Sequence, residues 1–338
     1  MADLSVDLAP GNPRELVLSN PVIAASGCFG YGQEYQGTID IHRLGAFVSK
    51  GITPEPRSGN PMPRITETTG GMLNAIGLQN PGIRKFIRSY PPIWERWPTP
   101  AIVNISGETV AEFAEMARLL DDVPGVAGLE VNISCPNINA GGFCFGWDAD
   151  MSREVTAAVR AATTLPIIVK LSPGALDVAQ IALAVEEGGA DAVSLINTLV
   201  GMKIDTRRRK PVLANGTGGL SGPAIRPVAV RMTWQVARVV GIPVVGLGGI
   251  MSLDDGLEFF MAGASAIQVG TGFFAQPGRM VAIADELDAW LDAQGCSSLG
   301  EIVGAALPDG LPPRRQRIDP DDLKLMSGDY AEARTTTT

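Results

Sequence analysis

Residues 132–137 carry side chains that could do chemistry, since they bring two asparagine amides, a serine hydroxyl and the thiol of Cys135 close together in sequence. The preceding run, residues 128–133, alternates apolar and polar positions, which predicts a buried β-strand. A thiol among amides where a strand ends indicates a catalytic residue. The competing interpretation is a buried structural thiol, which is the commoner role of cysteine.

The sequence does not supply the histidines or cysteine pairs that other common catalytic systems and metal sites need. The single histidine, His42, lies in a segment that predicts a short surface helix ahead of a strand, so neither a Ser-His-Asp system nor a histidine-rich metal site is expected. The four cysteines, at positions 28, 135, 144 and 296, show no Cys-x-x-Cys spacing. We therefore expect no metal site, no iron–sulfur cluster held by this chain and no disulfide framework, with structural roles for Cys28 and Cys144.

Composition limits the classes of partner. A formal charge of −9 and a pI near 4.8 argue against nucleic-acid or anionic-membrane binding. The basic cluster at residues 203–210 is interpreted as a solvated loop. No apolar run is long enough to span a bilayer and the N-terminus lacks signal-peptide features, so a cytoplasmic location is predicted.

Eight short β-rich runs alternate with helical segments over most of the 338 residues. The predicted strands are residues 22–25, 46–49, 101–105, 128–133, 166–171, 192–196, 243–247 and 266–269. The predicted helices include residues 110–120, 152–162, 178–187, 224–240 and 253–262. This alternation predicts an α/β fold, a (β/α)8 TIM barrel in one domain over residues 1–306.

Three segments fall outside the repeat. Residues 4–8 and 15–18 predict an N-terminal β-hairpin that forms the floor of the barrel. Residues 53–82, rich in Gly, Pro, Thr and Asn, predict a long structured excursion over the C-terminal face. Residues 307–338 are expected to form a partly disordered C-terminal extension.

Active sites of parallel barrels lie where the strands end. A polar side chain or a glycine follows each predicted strand in turn: Ser26 and Gly27, Lys50 and Gly51, Asn104, Asn132 with Cys135, Lys170, Asn197 and Thr198, Gly248 and Gly249, and Gly270 and Thr271. A lysine flanked by buried positions, as at Lys170, is paired, functional or able to extend to water. The eight strand ends together predict an active site at one face of the barrel.

The glycines after the last two strands allow backbone N–H groups to approach a phosphate, although tight turns use glycine anyway. Residues 218–223 are interpreted as a third glycine-rich turn of the same sort. Three such turns together suggest a cofactor phosphate.

Several motifs together resemble the dihydroorotate dehydrogenases of class 1B, the flavin subunits of NAD-linked enzymes of pyrimidine biosynthesis. They are Ser26-Gly27 with Phe29-Gly30, and residues 59–64, 74–82, 132–137, 219–225 and 246–249. The resemblance runs from about residue 4 to about residue 291. The 74–82 and 132–137 motifs are the most specific.

The resemblance implies FMN across the barrel mouth, with its phosphate on Gly248, Gly249, Gly270 and Thr271. The other implied flavin contacts are Ser26, Lys50, Gly51, Asn104, Asn132, Lys170, Ile196 and Gly222. Orotate would contact Lys50, Asn74, Asn132, Asn137, Asn197 and Thr198, with backbone groups of Gly77 and Leu78. Several amides suit a ring with N–H and C=O groups on most edges.

The implied reaction is oxidation of (S)-dihydroorotate to orotate in de novo pyrimidine biosynthesis. Cys135 would take the C5 proton while C6 passes hydride to FMN, and Lys170 would place positive charge near the reduced ring. Because a free thiol has a pKa of about 8.5, activity should rise with pH.

The resemblance also implies a partner subunit that carries FAD and a [2Fe–2S] cluster and passes electrons to NAD. The implied assembly is a homodimer of this chain within a heterotetramer. Residues beyond 307 extend past the family pattern.

Three alternatives stay open. A dihydropyrimidine dehydrogenase-like flavoenzyme would share much of the site, and carboxylate recognition by Lys50 and the Asn74 motif favours orotate instead. A flavin-free aldolase or isomerase barrel would use Lys170 as a Schiff base. A non-catalytic ligand-binding barrel would not need the thiol.

Overall fold

The computed structural model describes residues 2–134 and 144–308. Two predicted site residues, Cys135 and Asn137, lie outside the described residues, as do residues 309–338 of the predicted extension.

Eight parallel strands close into a barrel, which confirms the predicted fold. The described strands are β1 (Val6–Asp7), β2 (Val17–Leu18), β3 (Val22–Ala24), β4 (Ala46–Val48), β5 (Ile65–Thr68), β6 (Gly71–Asn74), β7 (Ala101–Ile105), β8 (Gly128–Asn132), β9 (Ile167–Lys170), β10 (Ala192–Leu195), β11 (Leu199–Gly201), β12 (Ile204–Asp205), β13 (Lys210–Pro211), β14 (Gly218–Ser221), β15 (Val244–Leu247) and β16 (Ala266–Val269). The barrel order is β3-β4-β7-β8-β9-β10-β15-β16, closing back on β3. Each predicted barrel strand lies within one residue of the observed bounds.

Helices cover the outside of the barrel. They are α1 (Ile83–Ser89), α2 (Pro91–Trp94), α3 (Val110–Leu120), α4 (Ala149–Ala162), α5 (Val178–Glu187), α6 (Arg226–Ala237), α7 (Leu253–Met261), α8 (Gly272–Ala275) and α9 (Arg279–Gln294). Helix α4 begins three residues before its predicted start, because the Asp148 side chain accepts the Met151 N–H at 2.9 Å and caps it. Helix α6 is shorter than predicted, since Pro223–Ile225 forms a 3-10 turn before it.

The N-terminal hairpin β1–β2 closes the amino-terminal end of the barrel, as predicted. Leu16 and Leu18 are buried, and Leu16 packs beside Gly128, the first residue of β8. Asn12, in the hairpin loop, donates to Asp191 Oδ2 at 3.1 Å. Asp191 directly precedes β10, so the hairpin lies under the strand beginnings.

The predicted excursion over the opposite face contains the hairpin β5–β6. It joins β14 and β11 in an antiparallel sheet of order β11-β14-β6-β5. The interpretation of residues 218–223 as a turn is therefore wrong for Gly218–Ser221, which pairs as β14 with both β6 and β11. Its glycines allow close packing, because a Cβ on Gly219 would lie 2.0 Å from Thr198 Oγ1.

Two smaller predictions are confirmed. His42 lies in a 3-10 turn, Ile41–Arg43, ahead of β4. The basic cluster forms the exposed hairpin β12–β13 and its loop. Within residues 2–134 and 144–308, no helix combines the length and apolar character needed to cross a membrane.

Candidate active site

A cavity opens where the barrel strands end, at the face that carries active sites in this fold. Ten of the predicted site residues line it: Ser26, Lys170, Ile196, Asn197, Thr198, Gly222, Gly248, Gly249, Gly270 and Thr271. A wider, open depression lined by Gln36–His42 contains none of the predicted residues.

The other predicted residues that the structure describes lie around this cavity. Gly51 follows β4, and a Cβ placed on it would lie 2.9 Å from Asn104 Oδ1 and 3.4 Å from Leu78 Cδ2. Asn74 ends β6 and donates to the Gly219 carbonyl at 3.4 Å, beside Thr198. The excursion thus reaches the strand ends through the side chains of Asn74 and Leu78.

Two more predicted residues, Lys50 and Gly77, directly precede Gly51 and Leu78 in sequence. The backbone N–H of Lys50 donates to the Gly30 carbonyl at 2.7 Å, which fixes the chain as it leaves β4. Gly77 has a φ of +76°, and a Cβ there would lie 2.7 Å from Asn60 Cγ. The backbone of the 74–82 motif is therefore held in a conformation that depends on glycine.

Three glycines form one wall of the cavity. Gly222, Gly248 and Gly249 have φ values of +98°, +135° and +79°. A Cβ on Gly249 would lie 2.8 Å from the Gly222 carbonyl oxygen, and one on Gly248 would lie 2.8 Å from Ala229 Cβ. Side chains are thereby excluded, so the backbone itself faces the cavity, as a phosphate-binding wall requires.

A buried carboxylate organises the base of the site. Glu130, fully buried on β8, accepts from Ser194 Oγ at 2.9 Å and Gln268 Nε2 at 2.8 Å on Oε1. Its Oε2 accepts from Asn104 Nδ2 at 2.7 Å and lies 3.5 Å from Lys170 Nζ. We call these five residues, Asn104, Glu130, Lys170, Ser194 and Gln268, the Glu130 cluster. Lys170 is therefore ion-paired and buried, with no extension to water.

Two acceptors of the Glu130 cluster are unpaired. Asn104 Oδ1 and Gln268 Oε1 are buried and have no hydrogen-bond partner among the described residues. Gln268 lines the cavity, and Asn104 Oδ1 faces the backbone of Gly51. Buried acceptors without partners are uncommon and costly, so these two oxygens suit a bound group that donates hydrogen bonds.

Cys28 also lies in the cavity region, although sequence reasoning favoured a structural role. A Cβ on Gly270 would lie 3.5 Å from its sulfur. Burial raises the pKa of the Cys28 thiol to about 11, against the opposing effects of Lys170, Lys50 and the Thr271 hydrogen bond. The thiol is therefore neutral near physiological pH.

A chain of hydrogen bonds links the end of β8 to the end of β10. Asn132 Oδ1 accepts from Ser134 Oγ at 2.7 Å, and Ser134 Oγ accepts from Asn197 Nδ2 at 2.6 Å. Ser134 is the last described residue before Cys135. Cys144, the next described residue along the chain, is buried and donates to the Ile133 carbonyl, in keeping with its predicted structural role.

Sequence reasoning missed Glu130, Ser194 and Gln268. Their signal was a polar residue in the interior of a predicted barrel strand, since such a residue must find a hydrogen-bond partner when it is buried. It also missed the lining residues Ser221 and Ile225. Within the described residues, no group of three or more His, Cys, Asp or Glu side chains is arranged to hold a metal ion.

Comparison with known proteins gives one consistent result. The model of the dihydroorotate dehydrogenase family matches residues 12–291. A protein of Pelobacter propionicus named dihydroorotate dehydrogenase B (NAD(+)), catalytic subunit, is 56% identical over 303 residues, covering 90% of this chain and 98% of that protein. Proteins of the same name from Trichlorobacter lovleyi and Desulforudis audaxviator are 56% and 53% identical, each covering 86% of this chain and 95% of its relative. This chain belongs to the dihydroorotate dehydrogenase family.

Proposed function

We propose that this chain oxidises (S)-dihydroorotate to orotate in pyrimidine biosynthesis, with FMN as its cofactor and NAD as the final electron acceptor. Family membership and relatives named as NAD-linked catalytic subunits support the reaction. The observation that carries the assignment to this cavity is the Glu130 cluster, which brings Lys170 and two unpaired amide oxygens to the strand ends.

The described residues fit FMN. The glycine wall of Gly222, Gly248 and Gly249 suits the phosphate, because its backbone is open to an anion. Asn104 Oδ1 and Gln268 Oε1 suit the hydrogen-bond donors of FMN, which are one ring N–H and the ribityl hydroxyls, because both oxygens accept hydrogen bonds. When bound, FMN would accept hydride from C6 of the substrate.

Lys170 would hold a fixed positive charge at the base of the site. Its ammonium is kept there by the ion pair with Glu130 at 3.5 Å, in a buried position where water screens charge weakly. A fixed cation favours an anionic ligand or a ring that gains negative charge.

The substrate would lie on the other side of the cavity, against Asn132, Asn197 and Thr198. The hydrogen-bond chain through Ser134 fixes the Asn197 side chain, whose Oδ1 also accepts the Thr198 N–H at 2.8 Å. Asn74 and the Gly77–Leu78 backbone would complete the set from the excursion, and Lys50 would bind the carboxylate. Asn137, outside the described residues, remains a predicted contact.

Cys135 would be the base that removes the C5 proton. It follows Ser134 directly in sequence, and Ser134 Oγ contacts two predicted substrate amides. A free thiol is only a few per cent ionised near neutral pH, a cost of roughly 2 kcal/mol. The rate of proton removal should therefore increase as the pH rises toward the thiol pKa.

NAD reduction would require a partner subunit, because the relatives are named as catalytic subunits of an NAD(+)-linked enzyme. We propose that the partner carries FAD and a [2Fe–2S] cluster and that a homodimer of this chain forms the core of a heterotetramer in the cytoplasm. Residues 1–306 would form the FMN-binding domain and residues 307–338 a separate extension.

The Schiff-base alternative is disfavoured by the Glu130 ion pair. A lysine nucleophile must be free to approach the substrate carbonyl, whereas Lys170 Nζ is buried and lies 3.5 Å from the Glu130 carboxylate. The dihydropyrimidine dehydrogenase-like alternative differs in substrate and needs an experiment.

That experiment is anaerobic reduction of the FMN-loaded full chain, followed by the loss of the oxidised flavin absorbance. We expect dihydroorotate to bleach the flavin and dihydrouracil to leave it unchanged at the same concentration. Bleaching by dihydrouracil alone would support the alternative substrate, and failure of the protein to bind FMN would contradict the proposal as a whole.

A further inference from the structure

We propose that Glu130 is a positioning residue, which sets the orientation of the Asn104 and Gln268 amides and limits the positive charge that Lys170 presents to the cofactor. This inference rests on the proposed flavin site. It concerns a residue that lies beneath the cavity and outside its lining, and that acts through its neighbours.

The orientation of the two amides follows from hydrogen-bond chemistry. A carboxylate only accepts hydrogen bonds, so Asn104 and Gln268 must each turn an NH2 group toward Glu130, at 2.7 and 2.8 Å. Their oxygens are then directed away from Glu130, and both are unpaired within the described part of the chain. Glu130 thereby presents two acceptors to the same ligand.

The geometry leaves little freedom for other arrangements. Asn104 and Glu130 are paired neighbours on β7 and β8, and all five members of the Glu130 cluster are at most 5% exposed. Ser194 Oγ donates to the same oxygen as Gln268, at 2.9 Å. If the side-chain amide of Asn104 or Gln268 rotated by 180°, its oxygen would face the Glu130 carboxylate. The buried hydrogen bond from its NH2 group to Glu130 would then be lost.

Glu130 also offsets the positive charge of Lys170. Its ammonium would stabilise the negative charge of reduced flavin, and the nearby Glu130 carboxylate opposes that effect. With the pair intact, the cluster is close to neutral as a whole. The reduced cofactor is then stabilised less than it would be by the lysine alone, which eases electron transfer onward.

The test uses Glu130→Gln in the full chain reconstituted with FMN. Its side-chain amide has one acceptor and one donor group, so either Asn104 or Gln268 must turn its NH2 toward the cavity. We expect the dissociation constant of oxidised FMN to rise about tenfold. The unopposed lysine should tighten reduced FMN about tenfold relative to oxidised FMN, a midpoint potential about 30 mV more positive.

Two further variants complete the experiment. Glu154→Gln changes an exposed glutamate on α4 and should leave both quantities at the wild-type values. Ser194→Ala keeps the Glu130 charge but removes one donor from Oε1. It should weaken the binding of oxidised FMN about threefold. If Glu130→Gln does not fold, this variant tests whether Glu130 orients the Asn104 and Gln268 amides.

The outcomes separate this inference from the proposed function. If wild-type protein binds no FMN, both are overturned. If wild-type protein binds FMN and is bleached by dihydroorotate, but the folded Glu130 and Ser194 variants keep the wild-type FMN affinity and potential, the positioning role alone is overturned. A merely structural role would lower the stability of the variant and leave the midpoint potential unchanged.

Discussion

The two ends of the barrel satisfy their buried polar groups in different ways. At the floor, Asp191 Oδ2 accepts from Arg160 at 3.0 Å, Asn12 at 3.1 Å and the Ile167 N–H at 2.7 Å, all from the chain itself. At the mouth, Glu130 is equally well paired, yet its two amide partners each keep a buried oxygen unpaired among the described residues.

The difference indicates which end is built for a ligand. Unpaired buried acceptors reduce stability. If the barrel only had to be stable, we would expect the buried polar groups at its mouth to be hydrogen-bonded within the protein, as those around Asp191 are at its floor. Substitutions at the floor should therefore change the free energy of unfolding, whereas substitutions at the mouth should change cofactor binding and rate.

The largest expected effect at the mouth follows from Cys135→Ala. Loss of the proposed general base should lower the rate of flavin reduction by dihydroorotate by about 10²- to 10⁴-fold, while FMN binding is retained. Stopped-flow absorbance of the loaded protein measures it. Cys296→Ala, beyond the end of α9, is the matched control and should react at the wild-type rate. An unchanged rate in Cys135→Ala would remove that thiol from the mechanism.

The largest effect at the floor follows from Asp191→Ala. It removes the carboxylate partner of the partly buried Arg160 guanidinium and the acceptor of the Ile167 N–H, so the free energy of unfolding should fall by about 3 kcal/mol. Urea denaturation of the FMN-free chain measures this change. Asp122→Ala, which removes an exposed partner of Arg14, should change it by less than about 1 kcal/mol. A strong loss of FMN affinity in the refolded Asp191 variant would break the distinction between the two ends.

A smaller effect is expected at the glycine wall. In Gly249→Ala the new Cβ would lie 2.8 Å from the Gly222 carbonyl, so FMN affinity should fall about tenfold. Gly11→Ala, in the floor hairpin, also places alanine at a positive φ, of +97°, but meets nothing within 4 Å. It should lose about 1 kcal/mol of stability and no FMN affinity in equilibrium titrations. Equal FMN affinities in the two variants would argue against a phosphate site at Gly249.

The smallest effect concerns Cys28. Burial raises the pKa of its thiol to about 11, so the group stays neutral until the pH approaches that value. The pH dependence of flavin reduction should therefore have the same midpoint in Cys28→Ser as in the wild type, whatever the change in absolute rate. If the alkaline increase disappeared in Cys28→Ser, the base would be Cys28 and the assignment to Cys135 would be wrong.

The barrel was predictable because each of its strands is a short apolar run with a polar residue or glycine at its end. The antiparallel sheet over the mouth was not, since β6 is stabilised by β14, which lies far along the chain. The composition of Gly218–Ser221 is typical of a turn, and the segment forms a strand because it pairs with β6 and β11. Pairing between segments so far apart in the chain cannot be predicted from the local sequence of either one.

The candidate site was predictable at its rim and hidden at its base. Asn197 and Lys170 are visible as polar residues at strand ends, whereas Glu130 and Gln268 lie within strands that also contain buried apolar residues. A polar residue in such a strand predicts a buried partner without naming it. The identity of that partner depends on the barrel register, which the sequence does not specify residue by residue.

The most direct test of the account is a crystal structure of the full chain with FMN bound. We predict polar atoms of the bound cofactor within hydrogen-bond distance of Asn104 Oδ1 and Gln268 Oε1, and its phosphate against the backbone of Gly248 and Gly249. A structure in which FMN lies elsewhere, with both oxygens still unpaired beneath an intact Glu130 cluster, would contradict the central claim that a ligand completes the mouth.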